Sequence, residues 1–436
     1  MTPSGRLAAA IDVLTEVEER RHPARNALKA WGDGARYAGA KDRAWVSGLV
    51  LDALRHRRSL AWRMGAETPR AIVLGTLRFA WDWDVEAVAQ AAAGPPHGSG
   101  PLTPEEAAVL AAPRPIEDAP PPVQGDYPDW LEAPLHRALG DHAPEEGAAM
   151  ARRAPVDLRA NTLKGDPGRV LKALSPLGWE ASPLLANALR LPAPQAADRA
   201  ASAEAQPEFA KGWFEVQDLG SQIAAAAAGA IKGRQVLDLC AGGGGKSLAL
   251  AAAMGNTGQL HAYDTDARRL SEVVRRGQRA GVRNLQIRSA RDPDPLKDLD
   301  GRMDVVFVDA PCTGSGTWRR HPDAKWRLTP EALERRRAEQ AEVLALAAPR
   351  VKPGGRLVYV TCSILGEENE DRIAAFLTVE PGFAVVPALD AITASGLVTE
   401  AGLALLAPLS TPEGYLRLTP RTAGTDGFFI AVLERR

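Results

Sequence analysis

The first quarter of the chain repeats apolar residues every three or four positions, which is the spacing of an amphipathic helix. The pattern extends from Leu7 to about Ala111 and is clear in RLAAAIDVLTEVEE, DRAWVSGLVLDALRHRRSLAWRM and PEEAAVLAA. It predicts an all-α domain. The proline-rich segment APRPIEDAPPPVQGDYPDW, which begins at Ala112, cannot continue a helix and has the composition of a linker. We therefore expect a domain boundary near residue 120.

The pattern then changes twice. Between Trp130 and about Ala210, helical LEAPLHRALG is followed by strand-like VDLRANTLK and by RVLKALSPLGWEA, which predicts a small α+β module. From Trp213 onward, short apolar strands alternate with helices, which predicts an α/β domain with a doubly wound, mostly parallel sheet. The expected strands are QVLDLC, QLHAYD, NLQIRS, DVVFVDAP, RLVYVTCS and FFIAVLE. The predicted domains are 1–120, 121–212 and 213–436.

Composition limits the possible functions. The chain has 436 residues, of which 45% are hydrophobic and 25% charged, an ordinary globular composition with room for two or three domains. The net charge of −1 gives no overall attraction to nucleic acid, so a nucleic-acid surface has to be local. The start lacks the apolar core of a signal peptide, and IAAAAAGAI is too short to span a bilayer, which predicts a cytoplasmic protein. The three cysteines form no CxxC pair and have no histidine at ligand spacing, so we expect neither a metal site nor a disulfide framework.

A glycine-rich turn follows the first strand of the α/β domain. Its sequence, CAGGGGKS from Cys240, lacks the first glycine of a phosphate-binding P-loop, and its glycines do not have the GxGxxG spacing of a dinucleotide site. Asp264 ends the second strand 22 positions after Gly242, close to the spacing expected for an acid that binds ribose hydroxyls, which favours a nucleoside ligand. S-adenosylmethionine fits better than NAD or ATP because it needs no pyrophosphate cradle, and Lys246 or the loop N–H groups could bind its carboxylate.

Two cysteines follow strands of the same predicted sheet. Cys362 comes after RLVYVT, and Cys312 lies in DAPCTGSG. C5 of cytosine is a poor nucleophile, but addition of a thiolate at C6 makes an enamine that can accept a methyl group at C5, so a cysteine here suits cytosine-5 methylation. We expect a helix to begin within SILGEENED, where its N-terminus would lower the pKa of Cys362. Asp309 is placed as a hydrogen-bonding or proton-handling carboxyl toward the base.

Each of these residues also has an ordinary structural explanation. A free cysteine is usually a small buried hydrophobe, and Cys240 stays in that class. Glycine turns serve backbone geometry, and Asp238, Asp264 and Asp309 could orient or cap turns. The coincidence of two cysteines and two acids at the strand ends of one sheet favours the chemical interpretation.

Together, DLCAGGGGKS, AYDTDARRL, DVVFVDAPCTGSGTWRRHPDAKWR and KPGGRLVYVTCSILGEENED resemble the bacterial RsmB branch of the Nop/Sun family of RNA (cytosine-5) methyltransferases. The resemblance covers about Trp213 to Arg436, and YPDWL, RANTLK and FEVQDLGSQ extend it to the middle of the chain. The helical start is similar to that branch's NusB-like RNA-binding domain. The implied fold is therefore a NusB-like helical domain, a small α+β RNA-binding module and a Rossmann-like class I methyltransferase domain.

The resemblance also implies residue roles. Cys362 would be the nucleophile, Cys312 would assist release of the methylated product from the covalent adduct, and Asp309 would act beside them. The family form CAAPGGK is CAGGGGK here, which removes a rigid proline from the loop. The implied target is 16S ribosomal RNA. The residues implied to contact S-adenosyl-L-methionine are Cys240, Ala241, Gly242, Gly243, Gly244, Gly245, Lys246, Asp264, Asp292 and Asp309.

A structured RNA would have to release its cytosine from the stack, with basic residues guiding the backbone. Within WRRHPDAKWR, Trp318 and Trp326 are predicted to add stacking surfaces. Charged helix faces are also often merely solvated. The basic candidates are Arg20, Arg21, Arg25, Arg55, His56, Arg57, Arg58, Arg275, Arg276, Arg279, Arg319, Arg320 and His321.

Two other functions remain open. A DNA cytosine-5 methyltransferase would use Cys312 of the Pro-Cys motif as its nucleophile, which leaves Cys362 without a role. A non-catalytic RNA-binding ribosome-assembly factor would pair the helical domain with a vestigial cofactor domain, although the two cysteines argue against it. The sequence specifies neither the target nucleotide nor the oligomeric state.

Overall fold

The computed structural model describes residues 1–95, 97–196, 198, 202–289 and 291–436. The helices are α1 (Pro3–Arg20), α2 (Ala24–Gly34), α3 (Ala40–Arg55), α4 (Arg57–Met64), α5 (Pro69–Gly75), α6 (Val85–Ala93), α7 (Pro104–Ala111), α8 (Pro121–Gln124), α9 (Glu132–Leu139), α10 (Ala143–Ala151), α11 (Pro167–Leu174), α12 (Pro207–Ala210), α13 (Leu219–Ala226), α14 (Gly245–Met254), α15 (Ala267–Ala280), α16 (Pro322–Arg327), α17 (Pro330–Ala347), α18 (Glu370–Val379), α19 (Ala388–Ala394), α20 (Glu400–Leu406) and α21 (Pro420–Ala423). The strands are β1 (Val156–Ala160), β2 (Glu180–Ala181), β3 (Ala188–Leu191), β4 (Phe214–Val216), β5 (Gln235–Asp238), β6 (Gln259–Asp264), β7 (Leu285–Ser289), β8 (Met303–Asp309), β9 (Val351–Thr361), β10 (Phe383–Val386), β11 (Leu416–Leu418) and β12 (Phe428–Arg435). Within these described ranges, no helix has both the length and the apolar character needed to cross a membrane.

The chain divides into two compact units. Unit 1 comprises Met1–Arg153, Ala193–Ala200 and Thr317–Leu328. Unit 2 comprises Ala154–Pro192, Ala201–Gly316 and Thr329–Arg436. Compact units are a coarser division than sequence domains, so the boundaries proposed at residues 120 and 212 stay predictions.

Unit 1 is helical, as the apolar spacing between Leu7 and Ala111 predicts. Thr2, Thr68 and Thr103 each stand before a proline and accept an N–H of the first helical turn, so these three helices start where the sequence provides a cap. The apolar faces of the helices meet in one core that includes Leu7 and Leu49. Three further helices, α8 to α10, follow the predicted helical region and also belong to this unit.

The proline-rich segment that follows Ala112 is packed, so the expectation of a linker is wrong. Tyr127 is fully buried, and its hydroxyl donates to Glu132 over 2.6 Å. Buried Asp126 accepts the backbone N–H groups of Arg58 and Ser59, each at 2.9 Å. Prolines here open the short helix α8 rather than extend a flexible chain, which composition alone could not distinguish.

The first part of unit 2 is a small antiparallel sheet with strand order β2-β3-β1-β4. Its core contains Leu158, Trp179 and Phe214, with Val170 and Leu174 from α11. This agrees with the α+β module predicted for the middle of the chain.

The second part of unit 2 is an eight-stranded sheet with order β10-β12-β9-β8-β5-β6-β7, and β11 pairs with β12. The strands from β9 to β7 are parallel to their neighbours, whereas β12 runs antiparallel to β9, β10 and β11. The α/β prediction is confirmed, with a mixed rather than mostly parallel sheet. The strand order reverses at β5, which lies between β6 and β8, and ligands of such sheets bind beyond the carboxyl ends of the strands at this point.

Candidate active site

The glycine-rich turn connects β5 to α14 at this edge of the sheet. Gly244 has a φ of +86°, and a Cβ there would lie 3.2 Å from Val273 of α15, so the position requires glycine. At Gly242 and Gly245, by contrast, a Cβ would meet no atom of the described chain within 4 Å. The turn therefore leaves room for a ligand to approach its backbone.

An arginine of α15 holds this turn in place. Arg276 Nη1 donates to the carbonyl of Gly243 over 2.5 Å, and its Nη2 donates to Glu215 over 2.9 Å. Arg279 also pairs with Glu215. These contacts give Arg276 and Arg279 a structural role at the turn, and the RNA contact predicted for them stays a prediction.

Two acids at the strand ends frame the turn. Asp264, at the end of β6, accepts the Gly242 N–H over 2.8 Å. Asp238, at the end of β5, is fully buried and accepts the Ser247 hydroxyl through Oδ2 over 2.5 Å, while its Oδ1 has no partner among the described residues. Burial, with a smaller contribution from Asp309, raises the pKa of Asp238 to about 7.

Lys246 and Asp309 form an ion pair between α14 and the end of β8. Lys246 is 9% exposed, and its Nζ donates to Oδ2 of Asp309 over 2.6 Å. Burial by itself lowers the pKa of Lys246, but the adjacent Asp309 carboxylate reverses the effect, so the pKa is raised. The lysine therefore stays charged at neutral pH.

These groups fit a ligand that carries an ammonium group, a carboxylate and ribose hydroxyls. The unpartnered Oδ1 of Asp238 can accept a hydrogen bond from an ammonium group, and Asp264 retains lone pairs for hydroxyls. Lys246 and the N–H groups at the start of α14 suit a carboxylate. S-adenosylmethionine presents all three kinds of group.

The two strand-end cysteines meet at the same edge of the sheet. Cys312 follows β8 and Cys362 follows the neighbouring parallel strand β9, and their Sγ atoms are 3.4 Å apart. Both are half-buried free thiols. The hydrogen bond with Cys362, followed by burial, raises the pKa of Cys312 well above its usual value, so Cys312 keeps its proton.

A helix does begin within SILGEENED, as predicted, but the residues directly after Cys362 are not helical, so the helix N-terminus does not lie at this cysteine. The helix α18 begins only at Glu370. Before it, Asn369 donates to the carbonyl of Ser363 over 3.0 Å and accepts the Thr361 hydroxyl over 2.6 Å. These side-chain bonds satisfy the backbone in a turn and delay the helix.

A buried carboxylate that the sequence did not single out joins the two cysteine loops. Glu368 accepts the backbone N–H of Thr313 over 2.8 Å and its hydroxyl over 2.5 Å. Gln340 of α17 donates to Glu368 over 3.0 Å and to the carbonyl of Pro311 over 2.9 Å. Glu368 thus holds Thr313 directly, and Gln340, from which it accepts a bond, holds Pro311 on the other side of Cys312. Glu368 lies six residues after Cys362 within SILGEENED, where the sequence predicts a helix start and gives no signal of a contact with Thr313.

Glycines bring the backbone of the loop before β12 against the Cys312 loop. A Cβ on Gly316 would lie 2.2 Å from the carbonyl oxygen of Gly427, so no side chain fits. Gly316 also donates its N–H to the carbonyl of Cys362 over 2.9 Å. The three loops are therefore connected through backbone contacts.

Two predicted cofactor residues stand apart from these contacts. Cys240 is half-buried, and burial raises its pKa, as expected for a packing residue. Asp292 is exposed in the turn after β7, and its recorded bond runs from its own N–H to Ser289. The described residues include no group of three His, Cys, Asp or Glu side chains arranged for a metal ion.

The segment WRRHPDAKWR belongs to unit 1, where part of it is buried. Trp318 is 2% exposed and Arg319 is 4% exposed, so the prediction that Trp318 offers a stacking surface is wrong. Lys325 Nζ donates to the carbonyl of Arg55, and Trp326 Nε1 donates to the carbonyl of Leu54, each over 2.7 Å. Side chains of α16 therefore tie this segment to α3.

Comparison with known proteins identifies the family. The family model described as 16S rRNA methyltransferase RsmB/F matches residues 229–434, and the RsmF/B-like ferredoxin-like domain matches residues 127–198. The solved structure of the protein PH0851 superposes with a TM-score of 0.71 at 25% identity, over 100% of this chain and 99% of that one.

Curated relatives agree with the family models. The probable ribosomal RNA small subunit methyltransferase B of Synechocystis sp. is 31% identical over 316 residues, which cover 72% of this chain and 67% of the relative. The ribosomal RNA small subunit methyltransferase B of Yersinia pseudotuberculosis is 35% identical over 258 residues, which cover 58% of each protein. The chain belongs to the RsmB/F family of rRNA methyltransferases, enzymes that take their methyl group from S-adenosylmethionine.

Proposed function

We propose that this protein methylates C5 of a cytosine in 16S ribosomal RNA through a covalent intermediate on Cys362. The observation that carries the proposal is the 3.4 Å separation between the sulfurs of Cys312 and Cys362, at the end of two adjacent strands. The Lys246 and Asp309 pair at the same edge supports it. A single thiol would be enough for nucleophilic attack, so a second thiol in contact suggests a reaction with two sulfur-dependent steps.

The Cys362 thiolate forms a bond to C6 of the cytosine, which makes C5 nucleophilic. S-adenosylmethionine supplies the methyl group that C5 takes up. Asp309 handles the proton that the ring gains on addition and returns on elimination. Loss of the C5 proton to Cys312 then breaks the bond between C6 and sulfur, which restores the aromatic ring and the Cys362 thiolate.

The contact between the two sulfurs suggests how Cys312 changes role. Before attack, the Cys312 thiol is a hydrogen-bond donor to Cys362, and this bond is the largest cause of its raised pKa. When Cys362 is bonded to carbon, its sulfur no longer carries negative charge. The main cause of the raised pKa is then removed, so the pKa of Cys312 falls and its proton passes to solvent, which leaves the thiolate that accepts the C5 proton.

The remaining parts of the chain are proposed to hold the RNA. Residues 1–120 are proposed to be a NusB-like RNA-binding domain, and 121–212 an RNA-binding module. The cofactor residues proposed are those from Cys240 to Lys246, with Asp264, Asp292 and Asp309. The enzyme would act in the cytoplasm without a metal ion.

The test combines methyl transfer with adduct detection. Wild-type protein, labelled S-adenosylmethionine and 16S rRNA should give 5-methylcytosine at a mapped position. Cys362→Ala should abolish the product, and Cys312→Ala should accumulate a covalent protein–RNA species that withstands denaturing gel electrophoresis. Binding of S-adenosylmethionine to both variants, measured by calorimetry, checks that they fold.

The opposite result for the two variants would support Cys312 as the nucleophile, as in the DNA enzyme. Failure of the wild-type protein to bind S-adenosylmethionine would support the non-catalytic factor instead.

A further inference from the structure

The basic residues 55–58, where α3 meets α4, are partly buried and partly exposed. Arg55 is buried, with its guanidinium bonded to Asp52 over 2.7 Å and to the carbonyl of Arg319 over 3.0 Å. Arg57 and Arg58 keep about a third and a quarter of their side chains exposed, at 32% and 25%. Only the second half of the run can therefore meet a ligand.

These two arginines line a cavity that lies entirely within unit 1. Its volume is about 680 Å³, and its walls include Trp62, Arg114 and Trp326. This volume is within the range of roughly 300–1,000 Å³ that is typical of sites for small organic groups. We call it the arginine–tryptophan cavity, defined by Arg57, Arg58, Trp62, Arg114 and Trp326.

Two pairs of a guanidinium group and an indole ring line this cavity. The Cζ atom of Arg57 lies 5.5 Å from the ring centroid of Trp326, and that of Arg114 lies 5.6 Å from the ring of Trp62. Bases of unpaired nucleotides stack on both aromatic rings and arginine planes, and guanidinium groups bind phosphate. The wall therefore offers contacts for a base and for its backbone.

Hydrogen bonds within the protein hold three of these side chains in position before any ligand binds. Trp326 donates through Nε1 to Leu54, and Trp62 donates through Nε1 to the carbonyl of Pro115 over 3.0 Å. Arg57 is anchored through Nε to Glu18 over 2.8 Å. Rings and guanidinium groups that are fixed before binding lose little conformational entropy when a ligand arrives.

The cavity is lined by acidic as well as basic side chains. Glu67 and Asp129 also line it, and Asp129 pairs with Arg58. A second, smaller cavity shares Arg57 and Trp326 and is lined by both Arg21 and Asp323. With acids beside the arginines, attraction for a bare polyanion is weak, and stacking supplies the larger part of the recognition.

We propose that the arginine–tryptophan cavity binds an unpaired nucleotide of the RNA substrate, with its base stacked on the indole and guanidinium groups and its phosphate held by arginine. This inference rests on the proposed function in taking RNA as the substrate. It assigns to unit 1 a subsite for single-stranded RNA.

The first test measures binding of a fluorescein-labelled single-stranded RNA of about ten nucleotides to the full chain. Trp62→Ala and Arg114→Ala should each weaken binding by about tenfold, the size of one lost stacking contact. Arg63→Ala is the matched control, because Arg63 is also on α4 but stacks on Phe79 instead, at 5.3 Å. Binding should be unchanged in this control.

A duplex of the same sequence should compete poorly, because its bases are already stacked. Equal competition by the duplex, or equal losses in all three variants, would overturn the proposal. Unchanged RNA binding in Trp62→Ala and Arg114→Ala would also overturn it and would leave a protein partner as the occupant.

A kinetic test separates this inference from the proposed function. In methyl transfer to 16S rRNA, Trp62→Ala and Arg114→Ala should raise KM for RNA about tenfold and leave kcat unchanged. A wild-type protein that transfers no methyl group to RNA contradicts the proposed function. A wild-type protein that does so, with variants of unchanged KM, contradicts only the subsite.

Discussion

Two lysines, one in each compact unit, are almost completely buried and yet have opposite pKa shifts. Lys246 in unit 2 contacts the carboxylate of Asp309, and its pKa is raised. Lys325 in unit 1 is 1% exposed and contacts the carbonyl of Arg55. Burial lowers the pKa of Lys325 to about 8, because the attraction of Asp126 is insufficient and Arg55 adds repulsion.

The difference shows that a hydrogen bond and a charge partner are not equivalent for a buried cation. A carbonyl accepts one hydrogen bond from the ammonium group, but only an anion in contact compensates for the hydration that the buried charge loses. Both lysines lie in motifs that the sequence offered as ligand contacts, GGGGKS and WRRHPDAKWR. We infer that Lys246 belongs to a site that uses charge and that Lys325 has a structural role in holding α16 to α3.

The largest effect is expected for Lys246→Met. Loss of the ammonium group removes a proposed cofactor contact and leaves Asp309 without its counter-ion, so we expect methyl transfer to fall about 10³-fold. The folded state should lose little stability, since the Asp309 side chain is 32% exposed and can be hydrated. Activity and thermal unfolding of the same preparation check this. Lys246→Met with more than a tenth of the normal activity would contradict an electrostatic role.

Asp309→Asn should make Lys246 resemble Lys325. Asparagine still accepts a hydrogen bond but removes the negative charge, so burial then dominates and the pKa of Lys246 falls. We expect activity to drop about 10²-fold and its alkaline limb to move to lower pH, because the lysine loses its proton earlier. A pH profile of single-turnover methyl transfer measures this, with Asp309→Glu as the charge-preserving control. An alkaline limb at an unchanged pH would show that Asp309 does not set the charge of Lys246.

Lys325→Met should change the pH dependence of stability. Lys325 has a folded pKa of about 8 and an unfolded pKa of about 10.4, so the unfolded chain binds more protons between these values. The free energy of unfolding of the wild-type protein should therefore rise with pH across this window. The wild-type advantage over Lys325→Met should grow by about 2 kcal/mol between about pH 7 and about pH 10.

Urea unfolding at several pH values measures this difference. Lys29→Met is the control, since Lys29 belongs to the same unit and its side chain is 76% exposed. If the free energy of unfolding of both variants has the same pH dependence, folding does not lower the pKa of Lys325.

The smallest effect is expected for Trp326→Phe. Phenylalanine keeps an aromatic ring but loses the N–H that donates to Leu54, so unfolding should become easier by about 1 kcal/mol. Methyl transfer with saturating RNA should be unchanged. A loss of stability several times larger than this would indicate that the indole contributes mainly through core packing and not through its hydrogen bond.

The strand-end residues could be located from sequence because the rule for parallel sheets does not depend on side-chain detail. Apolar strands that alternate with helices place their carboxyl ends at one edge, and Asp238, Asp264, Asp309 and Cys362 each end or follow such a strand. The contact between Cys312 and Cys362 follows from the pairing of β8 with β9.

Other features depend on long-range contacts that local pattern does not record. Glu368 reaches Thr313 and Gln340 only after the sheet and α17 are assembled. The proline-rich segment is packed because Asp126 bonds to α4. Trp318 looks like an exposed aromatic among charges, but its burial is a property of the folded unit.

The position of β12 has a consequence for protein synthesis. This strand is placed beside β9, which is followed directly by Cys362, although many residues separate the two strands along the chain. A nascent polypeptide in which β12 has not yet paired has an open sheet edge beside β9, close to the proposed nucleophile, and lacks the Gly427 contact with the Cys312 loop. We therefore expect the loops that hold the two thiols to reach their final arrangement only after β12 has paired with β9.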